Sequence, residues 1–485
     1  MPHATPSVRF QATDSFDDLT AHGLLVAAHD YARRLGLFSS IDRFLSLKMK
    51  TVDYSWQQKL QTLWASIVVG CHHTSQINDR LGAHERASAA LFGLERFPDQ
   101  SGVNRLLWAF TPEHLKEWRA LHLALLARHS RAKRRRLWPR LANQQRVLFV
   151  DIDQRALVVA SNRFELSAKG HFGRKRGRFG YQLSLAFLGG ELGEVLDEHL
   201  DPGNTPAAAR LDELLDAVLA FCTRTGINPS SVVIRADALY GTVEIVRKIQ
   251  ARGFHFLLKG ISRQRAAKLL DRAPDHALFT QVENGSQREP AWMSDLGTRE
   301  HRHGRNRGAE HAVLCRTLVL VRHLWTSDAR RAGPKQRAEK AADGRARRRV
   351  RRVDYFVTDL EARQLPVDAV LATYHDRSTI ERYFYDEAYG LGARQVRTKH
   401  YAGQALFEFV VATTNNLLRW MKHSLFKGTE IERMGICRLV HSAMQIPARI
   451  RRSGNRLVVE FPVRHHLIAA LSRDWPEMLP SARGT

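Results

Sequence analysis

Residues 146–153, RVLFVDID, mark the point where a helical texture gives way to a sheet. The run is apolar, rich in β-branched residues, and ends in two acids. Further strand candidates are ALVVAS (156–161), YQLSLAFLG (181–189), SVVIRAD (231–237) and FHFLLKG (254–260). Apolar residues at three- and four-residue steps fill the intervals 207–225 (AAARLDELLDAVLAFCTRT) and 242–253 (TVEIVRKIQARG). Three strands, a helix, a strand, a helix and a strand predict a mixed α/β sheet, a meander followed by parallel crossovers.

That order has a chemical consequence. Asp151 and Asp153 share one face of the first strand, because side chains alternate along a strand. Asp237 closes the fourth strand, and ligands of open α/β sheets gather at carboxyl ends of strands. A sheet that places the first and fourth strands side by side brings Asp153 and Asp237 together. Read locally, each Asp is a turn former or a helix cap. The downstream stretch 374–420 reads as a charged helix, a basic connector and an apolar helix. Tyr374, Arg377, Glu381 and Tyr385 fall at helical steps, which predicts one shared face. Read locally again, Arg377 and Glu381 form an ordinary surface pair. Taken together, Asp153, Asp237 and Glu381 form a carboxylate group that cations must neutralise. Hard oxygen donors suit Mg²⁺ or Mn²⁺. Two such ions, ~3.5–4 Å apart, activate a nucleophile and stabilise the leaving oxygen of an in-line phosphoryl transfer.

Charge points to the substrate. The 485 residues carry a formal net charge of +26, a field that attracts polyanions, nucleic acid above all. An anionic membrane surface is the competing partner, but no apolar run is long enough to span a bilayer. The first residues lack a secretory pattern. Cys71, Cys222, Cys315 and Cys437 are scattered, which predicts a reducing, cytoplasmic setting without a disulfide framework. Cys71-His72-His73 lacks the partners of a zinc site.

The chain divides by texture into five parts. Residues 1–140 are a helical region, with Asn104 and Arg105 in RFPDQSGVNRLLWAF (96–110) as candidate DNA contacts of a helix-turn-helix reader. Ser101 reads as a helix N-cap, and Thr111-Pro112 as the start of the next helix. An ordinary helical bundle fits the same pattern. Residues 130–140 (SRAKRRRLWPR) form a basic linker or a phosphate-contacting hinge. Residues 141–260 hold the first part of the sheet. Residues 261–352 read as a strand-rich insertion ending in a basic, loop-like stretch. Residues 353–425 return to the core with YFVTDL (355–360) and the Glu381 helix. Residues 426–485 form a tail with a strand at NRLVVEF (455–461), suited to dimerisation or DNA contact. Within the core, KGHFGRKRGRFGY (169–181) sets Lys169, His171, Arg174, Lys175, Arg176 and Arg178 among glycines that let a backbone approach phosphates. Phe179, Trp292 and Trp325 are candidates for stacking on an unpaired base.

VLFVDID, KGHFGRKRGRFGYQLSLAFLGG, DPGNTPAAARLDELL, IRADALYG, GFHFLLKG and YHDRSTIE together resemble the DDE transposases of bacterial insertion sequences, in the branch marked by a Tyr-Arg-Glu-Lys signature. The resemblance spans roughly residues 80–425 and implies an RNase H-like fold, which matches the element order. It implies Asp153, Asp237 and Glu381 as catalytic, metal-binding carboxylates, with Tyr374 and Arg377 as the signature Tyr and Arg. Asp151 stays an alternative to Asp153. The chain departs from the family pattern at Gln154, where Thr or Ser is usual, and at Ala388, the place of the signature Lys. The implied activity is Mg²⁺- or Mn²⁺-dependent cleavage and strand transfer on double-stranded DNA bearing terminal inverted repeats, by a homodimer in the bacterial nucleoid. An inactive, transposase-derived DNA-binding protein and an RNase H-like nuclease are the alternatives.

Overall fold

The computed structural model describes residues 18–173, 177–273, 278–283, 291–302, 312–326, 348–453 and 456–471. They fall into two compact units, residues 123–384 and the pairing of 1–122 with 385–485.

The first unit is built on a ten-stranded mixed sheet. Its strands are β1 (Leu148–Val158), β2 (Ala168–Lys169), β3 (Phe179–Leu188), β4 (Glu194–Pro202), β5 (Val232–Ala236), β6 (His255–Lys259), β7 (Thr280–Val282), β8 (Ala291–Arg302), β9 (Ala312–Thr326) and β10 (Arg348–Thr358). The order is β2-β3-β1-β5-β6-β10-β9-β8-β7, with β4 also paired to β3. β1 is antiparallel to β3 and parallel to β5, and β5 is parallel to β6. The crossovers run through the helices Leu211–Thr225 and Val243–Ala251. Their apolar stripes bury Leu214, Leu215, Val218, Ile245 and Ile249, the burial that favours helix on sheet.

Three expectations change here. RVLFVDID and ALVVAS form the single strand β1. The third strand of the meander is instead β4, whose sequence EVLDEHLDP hides its strand character behind four acids. These acids are buried. Glu194 accepts from Ser130 Oγ and the Arg131 N–H, Asp197 meets His199, and Arg210 grips Asp201 with two nitrogens. Buried charge is tolerated when paired and hydrogen-bonded in this way. The described strands of the insertion lie in the main sheet. They extend it through the antiparallel β6–β10 pairing. The end of the basic stretch, from Arg348, is the start of strand β10 rather than loop.

The second unit centres on the helix Tyr401–Leu425, which is buried along most of its length although it carries many polar residues. Those groups have partners. Gln404 donates to Glu408 at 2.6 Å and accepts from the Arg397 N–H, while Trp118 Nε1 donates to Thr413 Oγ1 at 3.0 Å. Buried polar groups cost little when so satisfied. The helix thus belongs with the N-terminal helices rather than with the sheet. The tail strands Ala448–Ser453 and Arg456–Glu460 pair, and the former also pairs with Leu19–Thr20.

One helix contact sets a strict limit on size. A Cβ on Gly403 would lie 2.0 Å from the Leu107 carbonyl oxygen and 2.8 Å from its carbon. Backbone cannot yield as a side-chain tip can. Gly403→Ala is therefore expected to destabilise the chain by ~1–3 kcal/mol despite alanine's better helix propensity, as read by denaturant unfolding.

Candidate active site

The site grows from the register of three parallel strands. Asp151 lies opposite Arg235, and Ile152 opposite Ala236. One step further, Asp153 and Asp237 stand side by side on the face that Asp151 and Arg235 share. Asp237 ends its strand and caps the short turn Ala238–Tyr240, accepting from the Leu239 N–H at 2.9 Å. The capping reading thus holds. Burial pushes the Asp237 carboxyl above its usual range, and the Asp153 charge adds to this.

Asp151 differs from Asp153 in kind. It is fully buried and receives Arg235 Nε at 2.7 Å and Nη2 at 2.9 Å. Both of its oxygens are engaged by the Arg235 guanidinium. Arg235 does more than neutralise it. Its Nη1 donates to the Thr373 carbonyl, and its guanidinium lies over the Phe149 ring at 4.3 Å. Gly189 leaves room for the pair, since a Cβ there would sit 2.5 Å from Asp151 Oδ2. An Arg inside the apolar run VVIRA was the sequence signal for this hub, and sequence reasoning passed over it.

Through Thr373, Arg235 ties the sheet to the segment bearing Tyr374, Arg377 and Glu381. This segment is not one regular helix. Val367–His375 is α-helical, Asp376–Ser378 is a 3₁₀ turn, Thr379–Tyr385 is α-helical again, and Asp386–Gly390 is a π turn that contains Ala388. The changes of pitch break the expected common face. Tyr374 packs edge-on against Phe356 at 4.9 Å, and burial pushes its hydroxyl up to about 12. Arg377 sits by the Tyr374 ring and donates Nη1 to Asp153 Oδ2 at 2.7 Å. Both charged partners are mostly enclosed, with side chains 12% and 16% exposed. Glu381 is exposed in the first turn of its helix, and Tyr385 points to solvent beside Tyr389. Among the described residues no three His, Cys, Asp or Glu side chains gather as an ion-holding group. The expected three-carboxylate cluster is therefore present as a pair, Asp153 and Asp237, without Glu381.

That pair fits a hard divalent cation. The donors are carboxylate oxygens, and a cation would offset the burial and the Asp153 charge that raise Asp237. Gln154, at the position after Asp153, donates to Ser184 Oγ at 3.1 Å.

The expected nucleic-acid contacts fall in both units. Lys169 and Arg178 are exposed on the β2–β3 hairpin, where Gly170 N–H donates to the Arg178 carbonyl and Lys169 lies over the Phe179 ring. His171 is exposed in the same loop. Arg174, Lys175, Arg176 and the side chain of Trp325 lie outside the described residues. Trp292 is half-buried on β8. In the other unit Asn104 and Arg105 sit on the helix Gln100–Ala109, the former half-buried and the latter exposed. Asp99 rather than Ser101 is its N-cap, accepting from the Gly102 N–H at 2.8 Å. Pro112 opens the following helix as expected.

Residues 7–480 match the family described as transposase DDE domain group 1. The match covers nearly the whole chain, and the protein belongs to this family of DDE transposases. No curated protein matches it. Among the described residues no helix is long and apolar enough to cross a membrane.

Proposed function

We propose that the chain is a transposase that binds the terminal inverted repeats of an insertion sequence, cleaves there with divalent metal, and joins the freed 3′-hydroxyl to target DNA. The observation that carries the reading is the Asp153–Asp237 pair, with Arg377 donating to Asp153. The strand order β3-β1-β5-β6 around it supports an RNase H-like core. The spacing of Tyr374, Arg377 and Glu381 supports the Tyr-Arg-Glu-Lys branch, with Ala388 as its departure.

In this reading Asp153 and Asp237 hold Mg²⁺ or Mn²⁺, and Glu381 joins them in the DNA complex. The ion supplies charge stabilisation for the attacking and leaving oxygens. Arg377 orients Asp153 through its hydrogen bond. Tyr374, wedged on Phe356, fixes the approach of Arg377. Lys169, His171 and Arg178 draw in the DNA backbone, and Arg105 and Asn104 contribute to reading the repeats. Two copies pair two ends as a homodimer in the bacterial cytoplasm.

Binding to duplexes that carry the ends flanking this gene tests the substrate. Those ends should be retained against random duplex, and an RNA–DNA hybrid should not compete. Equal competition by the hybrid would favour a nuclease of hybrid substrates. A second reading, an inactive DNA-binding descendant, draws on Ala388 and on the exposed Glu381 outside the carboxylate pair. It predicts end binding without cleavage.

The raised Asp237 carboxyl sets a pH dependence. A cation competes with the proton for this group, so ionisation must precede binding. Mn²⁺ affinity, measured by calorimetry, should fall by about tenfold per pH unit once pH drops below the Asp237 value. An affinity that stays level through the acid range would contradict Asp237 as a ligand.

A further inference from the structure

β6 pairs with β5 on one side and with β10 on the other, which places Lys259 beside Asp237 and opposite Phe356. Asp354 and Arg352 follow on the same face of β10, and Arg322 of β9 lies opposite Arg352. The face that begins with Asp153 and Asp237 therefore runs on into a cluster of cations.

These cations are not matched one for one. Lys259 Nζ lies 3.2 Å and Arg352 Nε 3.4 Å from the same Asp354 oxygen, Oδ2, which Arg322 Nη2 also contacts. Three cations converge on one oxygen of a carboxylate whose side chain is 4% exposed. Among the described residues this cluster sets one carboxylate, Asp354, against three cations. The Nε groups of Arg322 and Arg352 have no hydrogen-bond acceptor there. Burial pushes the Lys259 ammonium below its ordinary value, with Arg352 and Arg322 adding to this. The His375 imidazole is pushed down by burial and then by Arg322 and Lys259. A structural ion pair would balance its charges, because enclosing surplus charge is costly. A binding site for an anion leaves that surplus for its ligand to fill. The Arg352 side chain, 37% exposed, keeps the cluster open to solvent.

We infer that Lys259, Arg322 and Arg352 form a phosphate subsite that holds a non-scissile phosphate of the DNA strand lying across Asp153 and Asp237. The inference rests on the DNA-cleaving reading above. Asp354 acts as a positioning residue, gathering the three cations toward one point. Lys259 also links the two sites, since its charge bears on the Asp237 carboxyl.

The test is the salt dependence of binding to an end-bearing duplex, by fluorescence anisotropy, for the full chain and for Arg352→Gln and Lys259→Gln. Each variant should lower the slope of log affinity against log salt by about 1. A scan of single methylphosphonates along the cleaved strand should find one position that weakens the wild-type chain yet leaves both variants unaffected. Wild-type slopes and a wild-type scan in both variants would overturn the subsite. Should Lys259→Gln fail to fold, the half-exposed Arg352 carries the test alone. If the intact chain binds no DNA, the reading of its substrate fails separately, and inorganic phosphate becomes the probe. Broadening of its ³¹P resonance by the wild-type chain, lost in Arg352→Gln, would sustain the subsite. No broadening by the wild-type chain would overturn it.

Discussion

Asp237→Asn should abolish metal-dependent cleavage of end-bearing DNA, lowering the single-turnover rate by roughly 10³-fold or more, the scale on which loss of a transition-state-stabilising group is felt. Asp237 stands beside Asp153 at the strand ends and carries the raised carboxyl of the site. Asparagine keeps its shape and its acceptor for the Leu239 N–H, so the turn Ala238–Tyr240 should persist. DNA binding should therefore survive, and it should tighten slightly as a charge opposing the phosphates disappears. Cleavage in the variant within tenfold of wild type would remove Asp237 from the chemistry.

The second large effect concerns stability. Arg235→Met should cost about 3–5 kcal/mol, because it strands the Asp151 carboxylate in a fully buried position. The variant also loses the bond to the Thr373 carbonyl, so the segment holding Tyr374 and Arg377 should loosen. Removing both charges, as in Arg235→Met with Asp151→Leu, should recover much of the loss. Asp153→Asn should behave in the opposite way. It should abolish cleavage but change stability by no more than about 1 kcal/mol, because the lost Arg377 contact is offset by relief of repulsion at Asp237. Guanidinium unfolding of the four chains separates these outcomes. A large stability loss in Asp153→Asn, with little in Arg235→Met, would reverse the roles assigned to the two Asp positions.

The sequence made the centre of the sheet legible because short apolar runs bounded by turn residues mark buried strands, β-branched in VLFVDID and VVIRAD and aromatic and Leu-rich in FHFLLKG. β4 was illegible for the converse reason. Its acids are buried, and only tertiary partners such as Arg210 and Ser130 make that acceptable. Spacing placed Tyr374 and Arg377 near each other, which they are. It could not reveal the 3₁₀ turn between Tyr374 and Glu381, because a step of three or four residues presumes constant pitch. The difference between Asp151 and Asp153 was likewise hidden. Both lie on one face two residues apart, and only the partner on the neighbouring strand, Arg235, distinguishes them. The cation cluster at Lys259 draws on strands far apart in sequence, so no local pattern announces it.

The most direct test of the central claim is incubation of the full chain with duplex DNA carrying the ends that flank its gene, in Mg²⁺, in Mn²⁺ and with chelator, beside Glu381→Gln. The account predicts cleavage at the ends in either metal, none with chelator and none from the Glu381 variant. Tight binding to those ends without cleavage in either metal would contradict it, and would make Ala388→Lys the first change to try.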